Sequence, residues 1–290
     1  MANLKELRGR IKSVTSIAQI TRAMEMVASM RLRKAQAKAQ SFHPYTEEIQ
    51  HMIERVASHV SGDVPLFRRR EVATVGFFVV TSDRGLCGSY NSNLLFALKR
   101  QADELIAGGK QVKFWCYGRK GYTWLTRRGF AVERFFVEPP LDKADFAAAK
   151  MVGQALVEAF TTGVVDEVRL FFTRFQSMSK FVPTNSPFLP IASIAVGAQA
   201  EAKYELDFLL EPDATTVFNR LMPRYLEAVV FDAMLQSLAS EHASRRMAMK
   251  GATDAAARMT KGLKKVYNRA RQENITKELL DIIGGASAVS

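Results

Sequence analysis

The sequence predicts an α/β protein in which a Rossmann-like α/β domain lies between two long helices, one from each end of the chain, that pair as a long antiparallel coiled coil. Three observations predict it. Apolar residues recur at helical spacing over many turns at both ends; the middle changes to short Val- and Phe-rich runs alternating with helical stretches; and the positive charge is confined to the ends. The expected segments are 1–60 for the N-terminal coiled-coil helix, 70–210 for the α/β domain and 214–287 for the C-terminal coiled-coil helix.

In the N-terminal arm, Leu4, Leu7, Ile11, Val14, Ile17, Ile20, Met24 and Val27 step by three and four and mark one helix face. Two steps of three, from Val14 to Ile20, predict a local slip that would overwind a heptad seam. Small Ala35 and Ala39 continue the stripe, and Phe42, Ile49, Ile53, Val56 and Val60 resume it. Pro44 lacks a backbone donor and is expected to kink or split the helix, and SGDVP, Ser61 to Pro65, to end it.

VATVGFFVV, QVKFWCY and DEVRLFFTRF read as strands, separated by the helical stretches NSNLLFALKRQADELIAG and KADFAAAKMVGQALVEAFTTG. Strands alternating with helices predict a parallel sheet. Asp213 or Thr215 can cap the C-terminal arm, whose stripe includes Leu221, Leu226, Val230, Met234, Leu238, Ala256, Met259, Leu263, Val266, Ala270, Ile275, Leu279 and Ile282. A helix of this length needs a partner along it, and the N-terminal arm is the only comparable one.

Motifs that carry chemistry are few in the chain. TSDRGLCG, Thr81 to Gly88, follows a strand and opens a helix, where an open α/β sheet places ligands. Yet GxGxxG and the Walker pattern are absent, and Gly108-Gly109-Lys110 lacks the upstream glycine and the hydroxyl. Cys87 has no His within 70–210 to activate it and reads as a packed thiol beside a glycine turn. SMSK, Ser177 to Lys180, matches SxxK without its companion motifs. Cys87 and Cys116 have no CxxC spacing and are expected to be reduced; His43, His51, His59 and His242 form no metal-ligand pair. No catalytic residue, cofactor or metal is expected. Without a stretch of ~18 apolar residues or a secretory signal in MANLKELRGRIKSV, the chain is expected to stay on the cytosolic side without spanning a membrane.

Residues 1–41 carry nine Lys/Arg against Glu6 and Glu25, and residues 241–272 carry nine against Glu241 and Asp254. Each stretch is net +7 in a chain of net +12, so both ends are expected to meet something acidic. An acidic protein collar and the phosphates of nucleic acid both satisfy that requirement.

Five stretches carry a resemblance. IxxVxSIAQITRAMEMVASMRLRKAQ (Ile11 to Gln36), TSDRGLCGSYNSNL (Thr81 to Leu94), FLLEPD (Phe208 to Asp213), LASEHASRRMAMKGATDAA (Leu238 to Ala256) and YNRARQENITKELLDIIGGASA (Tyr267 to Ala288) together resemble the gamma subunits of F-type ATP synthases, the central rotor shaft of the F1 sector. The last holds Ile275-Thr276-x-Glu278 through Asp281 to Gly285-Ala286, the family's C-terminal signature. The resemblance implies a non-catalytic subunit turning inside a hexameric ring of alpha and beta subunits, with its α/β domain against the epsilon subunit and the c-ring. It implies beta-subunit contacts at Arg271, Gln272, Thr276, Glu278, Met24, Arg31 and Arg245, and foot contacts at Phe208 and Glu211. It further implies a peripheral position on the cytoplasmic face of a bacterial inner membrane. Met30 and Gly251 stand where the family usually has smaller or hydroxyl residues and Ala or Asn, and Glu273 adds an acid among the upper contacts.

Overall fold

The computed structural model describes residues 4–57, 59–60, 64–191 and 211–287. The chain divides into two compact units, Met30–Ser244 and the combined ends Met1–Ser29 with Arg245–Ser290. Two helices contribute to both units: α1, Leu4–Ala57, and α5, Ala214–Ser287.

The unit Met30–Ser244 is built on a five-stranded sheet. In chain order its elements are β1 (Thr74–Val80), α2 (Tyr90–Ala107), β2 (Gln111–Tyr117), α3 (Arg119–Thr126), β3 (Val132–Phe136), α4 (Phe146–Thr161), β4 (Glu167–Phe175) and β5 (Phe181–Leu189). The strand order is β3-β2-β1-β4-β5; the first four strands run parallel and β5 returns antiparallel to β4. Pro183 and Pro187 cannot donate to a ladder, which suits β5 to an edge. The turn between β4 and β5 is where SMSK falls: the Ser177 and Lys180 amides each donate to the other's carbonyl, and the Ser177 hydroxyl accepts from the amides of Ser179 and Lys180. Ser177 is therefore a turn residue.

Alternating strand residues supply two cores. Phe77, Val79, Phe114, Cys116 and Phe171 meet Leu94, Leu95 and Leu98 of α2 and Leu125 of α3 on one face. On the other, Phe78, Val80, Trp115, Tyr117, Leu170 and Phe172 meet α4, the later part of α1 (Leu32, Ile49, Ile53, Val56) and the early part of α5 (Phe218 to Ala243). Helices on both faces of a largely parallel sheet make the expected α/β layering, with the antiparallel edge as an addition.

α1 passes through Pro44 as one helix rather than splitting. Packing on either side of the proline opposes the break. Phe42 meets Tyr45, Phe146 and Phe231 with centroid separations of 5.3, 5.8 and 4.8 Å, and Ile49 and Ile53 are buried one and two turns on. Lys38 completes this anchor, donating from Nζ to the Ala144 carbonyl at 2.7 Å and lying over the Phe231 ring at 4.9 Å; burial lowers its ammonium pKa. Asp213 caps α5, accepting from the Thr216 amide at 2.8 Å, and Asp145 caps α4, accepting from the Ala148 amide at 3.0 Å.

Gly118 joins β2 to α3 at φ +99°, where a Cβ would lie 2.2 Å from the Thr81 carbonyl oxygen. Gly251, inside α5, has open space where its Cβ would be. Urea titrations should therefore move in opposite directions: Gly118→Ala loses about 3 kcal/mol or more through strain and collision, whereas Gly251→Ala gains roughly 0.5–1 kcal/mol through helix propensity.

Candidate functional site: the outward face of the paired helix ends

In the second unit, residues 4–29 of α1 pair with the later part of α5. The hydroxyls of Thr21 and Thr253 hydrogen-bond across the pair at 2.8 Å. The less exposed positions of α1 are Leu4, Leu7, Ile11, Val14, Ala18, Thr21, Glu25 and Ala28, with Met24 beside them; those of α5 are Met249, Thr253, Ala256, Thr260, Leu263, Tyr267, Ala270 and Asn274. Both series alternate steps of three and four without a slip. Counted antiparallel from the threonine contact, Leu7 stands level with Tyr267, Ile11 with Leu263 and Ala18 with Ala256.

This corrects the stripe expected from the sequence. It holds through Val14, then leaves Ile17 and Ile20 on the outside, 51% and 59% exposed, together with Val27, while Ala18, Thr21 and Ala28 take the seam. On α5, Met259, Val266, Ile275, Leu279 and Ile282 are likewise exposed. Side chains as small as Ala and Thr let two helices pack closely, and a seam so packed has less room for bulkier side chains. The large apolar residues consequently form an outer surface.

That surface is also cationic. Lys5, Arg8, Lys12, Arg22, Lys250, Arg258, Lys261, Lys264 and Lys265 are exposed between the apolar side chains, and Arg10 and Arg269 make exposed i,i+4 pairs with Glu6 and Glu273. Such pairs contribute little energy and are easily exchanged. Beyond Ala270 no described residue of α1 stands level with α5, and Ile275, Leu279, Leu280, Ile282 and Ile283 are exposed there. An apolar surface of this extent set among charges marks an interface.

The residues implied by the resemblance fall into four groups. Arg271, Gln272, Thr276 and Glu278 lie together, exposed, on two turns of α5, where the Thr276 hydroxyl donates to the Gln272 carbonyl at 2.9 Å. Met24 and Arg245 are half-buried in the same unit. Arg31 belongs to the other unit, exposed, and donates from a guanidinium nitrogen to Asp142 at 3.1 Å, a partner far from it in sequence. Glu211 is exposed just before α5, and Phe208 lies outside the described residues.

The TSDRGLCG crevice is occupied by the protein's own helix. Strand order reverses between β1 and β4, the position at which open α/β sheets bind ligands. Here α5 crosses it: the Gln236 side-chain oxygen accepts from the Phe175 amide (3.3 Å), Ser237 Oγ accepts from the Thr173 amide (3.4 Å), Ser240 Oγ donates to the Thr173 carbonyl (3.1 Å) and Ser244 Oγ donates to the Cys87 carbonyl (2.6 Å). Asn91 of α2 ties the turn, accepting from the Ser82 amide at 3.1 Å and donating to Ser82 Oγ at 2.7 Å and to Cys87 Sγ at 3.2 Å. Asp83 accepts from the Arg119 amide at the start of α3. Thr81, which donates to the Tyr117 and Gly118 carbonyls and accepts from the Gly121 amide, is likewise structural, as are Ser82, Asp83 and Cys87. Among the described residues no group of three His, Cys, Asp or Glu could hold a metal, and no helix is long and apolar enough to cross a membrane.

Fold and surface together define an α/β protein with paired helical ends whose exposed apolar and cationic face has the character of a protein-contact surface. A family model described as ATP synthase matches residues 3–289. The ATP synthase gamma chain of Syntrophobacter fumaroxidans is 39% identical over 292 residues, covering 100% of this chain and 99% of that one, and the gamma chain of Cupriavidus necator is 40% identical over 302 residues, covering 100% of both. The chain belongs to the ATP synthase gamma chain family. Among solved structures, the fold is similar to a chain of the Euglena gracilis mitochondrial ATP synthase, OSCP/F1/c-ring, rotational state 3 (TM-score 0.67, 18% identity, 99% of this chain and 94% of that one), and to one of the Tetrahymena thermophila mitochondrial ATP synthase central stalk/c-ring (TM-score 0.58, 24% identity, 80% and 99%). Neither the family match nor the fold supports the nucleic-acid reading.

Burial pushes the Cys116 thiol from 9.0 up to about 12. Only the unfolded chain can release this proton between those values, so the contribution of Cys116 to stability is complete below pH 9 and declines as pH rises toward 12. Urea midpoints taken across that range should fall less steeply in Cys116→Ala than in the parent, and native Cys116 should resist alkylation at pH 8.

Proposed function

We propose that this chain is the central-stalk rotor of an F-type ATP synthase and has no catalytic centre of its own. The outer face of its paired ends turns within the hexameric ring of alpha and beta subunits, coupling ion flow through the c-ring of Fo to ATP synthesis or hydrolysis. The observation that carries this reading is the row of large apolar residues turned away from the seam, Ile17, Ile20, Met26, Met247, Met259 and Val266, set among cations.

The physical basis is differential binding. A surface that differs from side to side presents a different set of contacts to each beta subunit at a given angle, and so biases the conformational equilibrium of each subunit differently. Arg271, Gln272, Thr276 and Glu278 would meet the beta subunits around the single-helix end of α5; Met24, Arg31 and Arg245 would meet them farther down. Arg31 would do so by exchanging an exposed ion pair with Asp142 for one with the ring. Phe208 and Glu211 would serve the foot, toward the epsilon subunit and the c-ring. No cofactor, nucleic acid or membrane span enters this mechanism, and the site of action is the cytoplasmic face of a bacterial inner membrane as a peripheral part of the complex. The three segments 1–60, 70–210 and 214–287 would act as shaft, foot and shaft.

Exposed outer residues and seam residues should separate cleanly. The double change Ile17→Ser and Ile20→Ser should alter the unfolding free energy of the chain by no more than about 0.5 kcal/mol per site while weakening its retention by the alpha/beta ring roughly tenfold. Ile11→Ala, in the seam, should cost about 2 kcal/mol of chain stability. Failure of the unaltered chain to co-purify with the ring would overturn the assignment.

A further inference from the structure

The four side chains of α5 that close the sheet crevice lie at positions 236, 237, 240 and 244, along one face of the helix, and each bonds a main-chain group: the Phe175 and Thr173 amides and the Thr173 and Cys87 carbonyls. Ser237, Ser240 and Ser244 are buried. The surrounding contacts of Met234, Leu235 and Leu238 are apolar. Apolar contact is non-directional, so by itself it permits a helix to roll on the surface beneath it. Hydrogen bonds weaken steeply with angle, and acceptors and donors in a strand backbone cannot follow a roll by changing rotamer. Successive residues on a helix stand about 100° apart, so a roll of a few tens of degrees would break all four bonds together.

We propose that Gln236, Ser237, Ser240 and Ser244 form a rotational lock that fixes the roll angle of α5 on β4 and the Thr81–Gly88 turn, delivering torque from the α/β domain into α5 without slip. The proposal rests on the rotor reading given above. It assigns these residues a positioning role: none touches nucleotide or ring. It also explains why the crevice is lined with hydroxyls instead of the aliphatic side chains found elsewhere on the same helix. A hydroxyl on the buried helix face fits the close approach and supplies direction, and a methyl supplies only the fit.

The test uses the assembled F1Fo complex in sealed vesicles, carrying either the unaltered chain or the triple variant Ser237→Ala, Ser240→Ala, Ser244→Ala, with ATP hydrolysis and ATP-driven ion uptake measured on the same vesicles. ATP hydrolysis should stay within about twofold of the parent while ions moved per ATP fall about threefold, the scale set by losing directional bonds that each weigh modestly on an equilibrium. The pair Ser240→Thr and Ser240→Val separates direction from packing, since the two side chains have nearly the same shape: the Thr variant should keep the uptake ratio and the Val variant should lose it. This pair also decides the matter should the triple variant fail to assemble. An unchanged ratio in the assembled variants, or equal behaviour of Thr and Val, would overturn the lock. A parent complex whose hydrolysis drives no uptake would instead overturn the rotor reading itself.

Discussion

The placing of small side chains on buried helix faces is the constraint on which the rest of the structure depends. It operates twice on α5. Ala18, Thr21 and Ala28 of α1 meet a seam containing Thr253 and Ala256, and Ser237, Ser240, Ala243 and Ser244 lie against the ends of β1 and β4. In the first case the small seam displaces isoleucine and methionine outward, where they are available to a partner. In the second it lets hydroxyls reach a strand backbone. A seam of leucines would have been stronger as a coiled coil, because buried area drives association, but it would have taken into the pair the side chains that now form the outer face.

The architecture was legible in the sequence because periodicity reports the element type directly. β2 coincides with QVKFWCY, α2 and α4 differ from their expected stretches by a few residues at the ends, and both long helices were expected. Which face of the N-terminal helix is buried was legible only as far as Val14. Reading size as burial carried the stripe to Ile17 and Ile20, where the structure instead buries Ala18 and Thr21. Hydropathy cannot distinguish a seam of small residues from a surface of large ones when the surface is itself an interface. β3, β5 and α3 gave no usable signal: β3 is five residues long, β5 contains two prolines and α3 has eight residues with Gly121 inside it.

The site shows the same division. The candidate contact residues near the end of α5 are exposed on adjacent turns, as a one-helix spacing requires, so their clustering could be read from sequence. The partner of Arg31 could not, since Asp142 is 111 residues away and reaches it only through the fold. Nor could the fate of TSDRGLCG. Strand, turn and helix mark a place where open sheets bind ligands, and the residues that pack there come from a segment about 150 residues later, Ser244 bonding the Cys87 carbonyl. Local sequence placed the opening, and tertiary structure closed it.

The end of α5 illustrates how such a surface is sustained. A lone helix in water is marginal even with good propensity, and exposed Ile275, Leu279, Leu280, Ile282 and Ile283 add apolar area without a neighbour among the described residues. What opposes aggregation there is charge: Arg269, Arg271 and Lys277 with Glu273 and Glu278 intersperse the same turns, and the paired ends as a whole are strongly positive, so copies of the chain repel one another. The repulsion is selective. A surface of opposite charge is attracted at long range by those cations and, once close, covers the apolar side chains at about 25 cal/mol per Å². Charge therefore selects the partner while apolar burial retains it, and neither would serve alone on a surface that must leave one contact for the next as it turns.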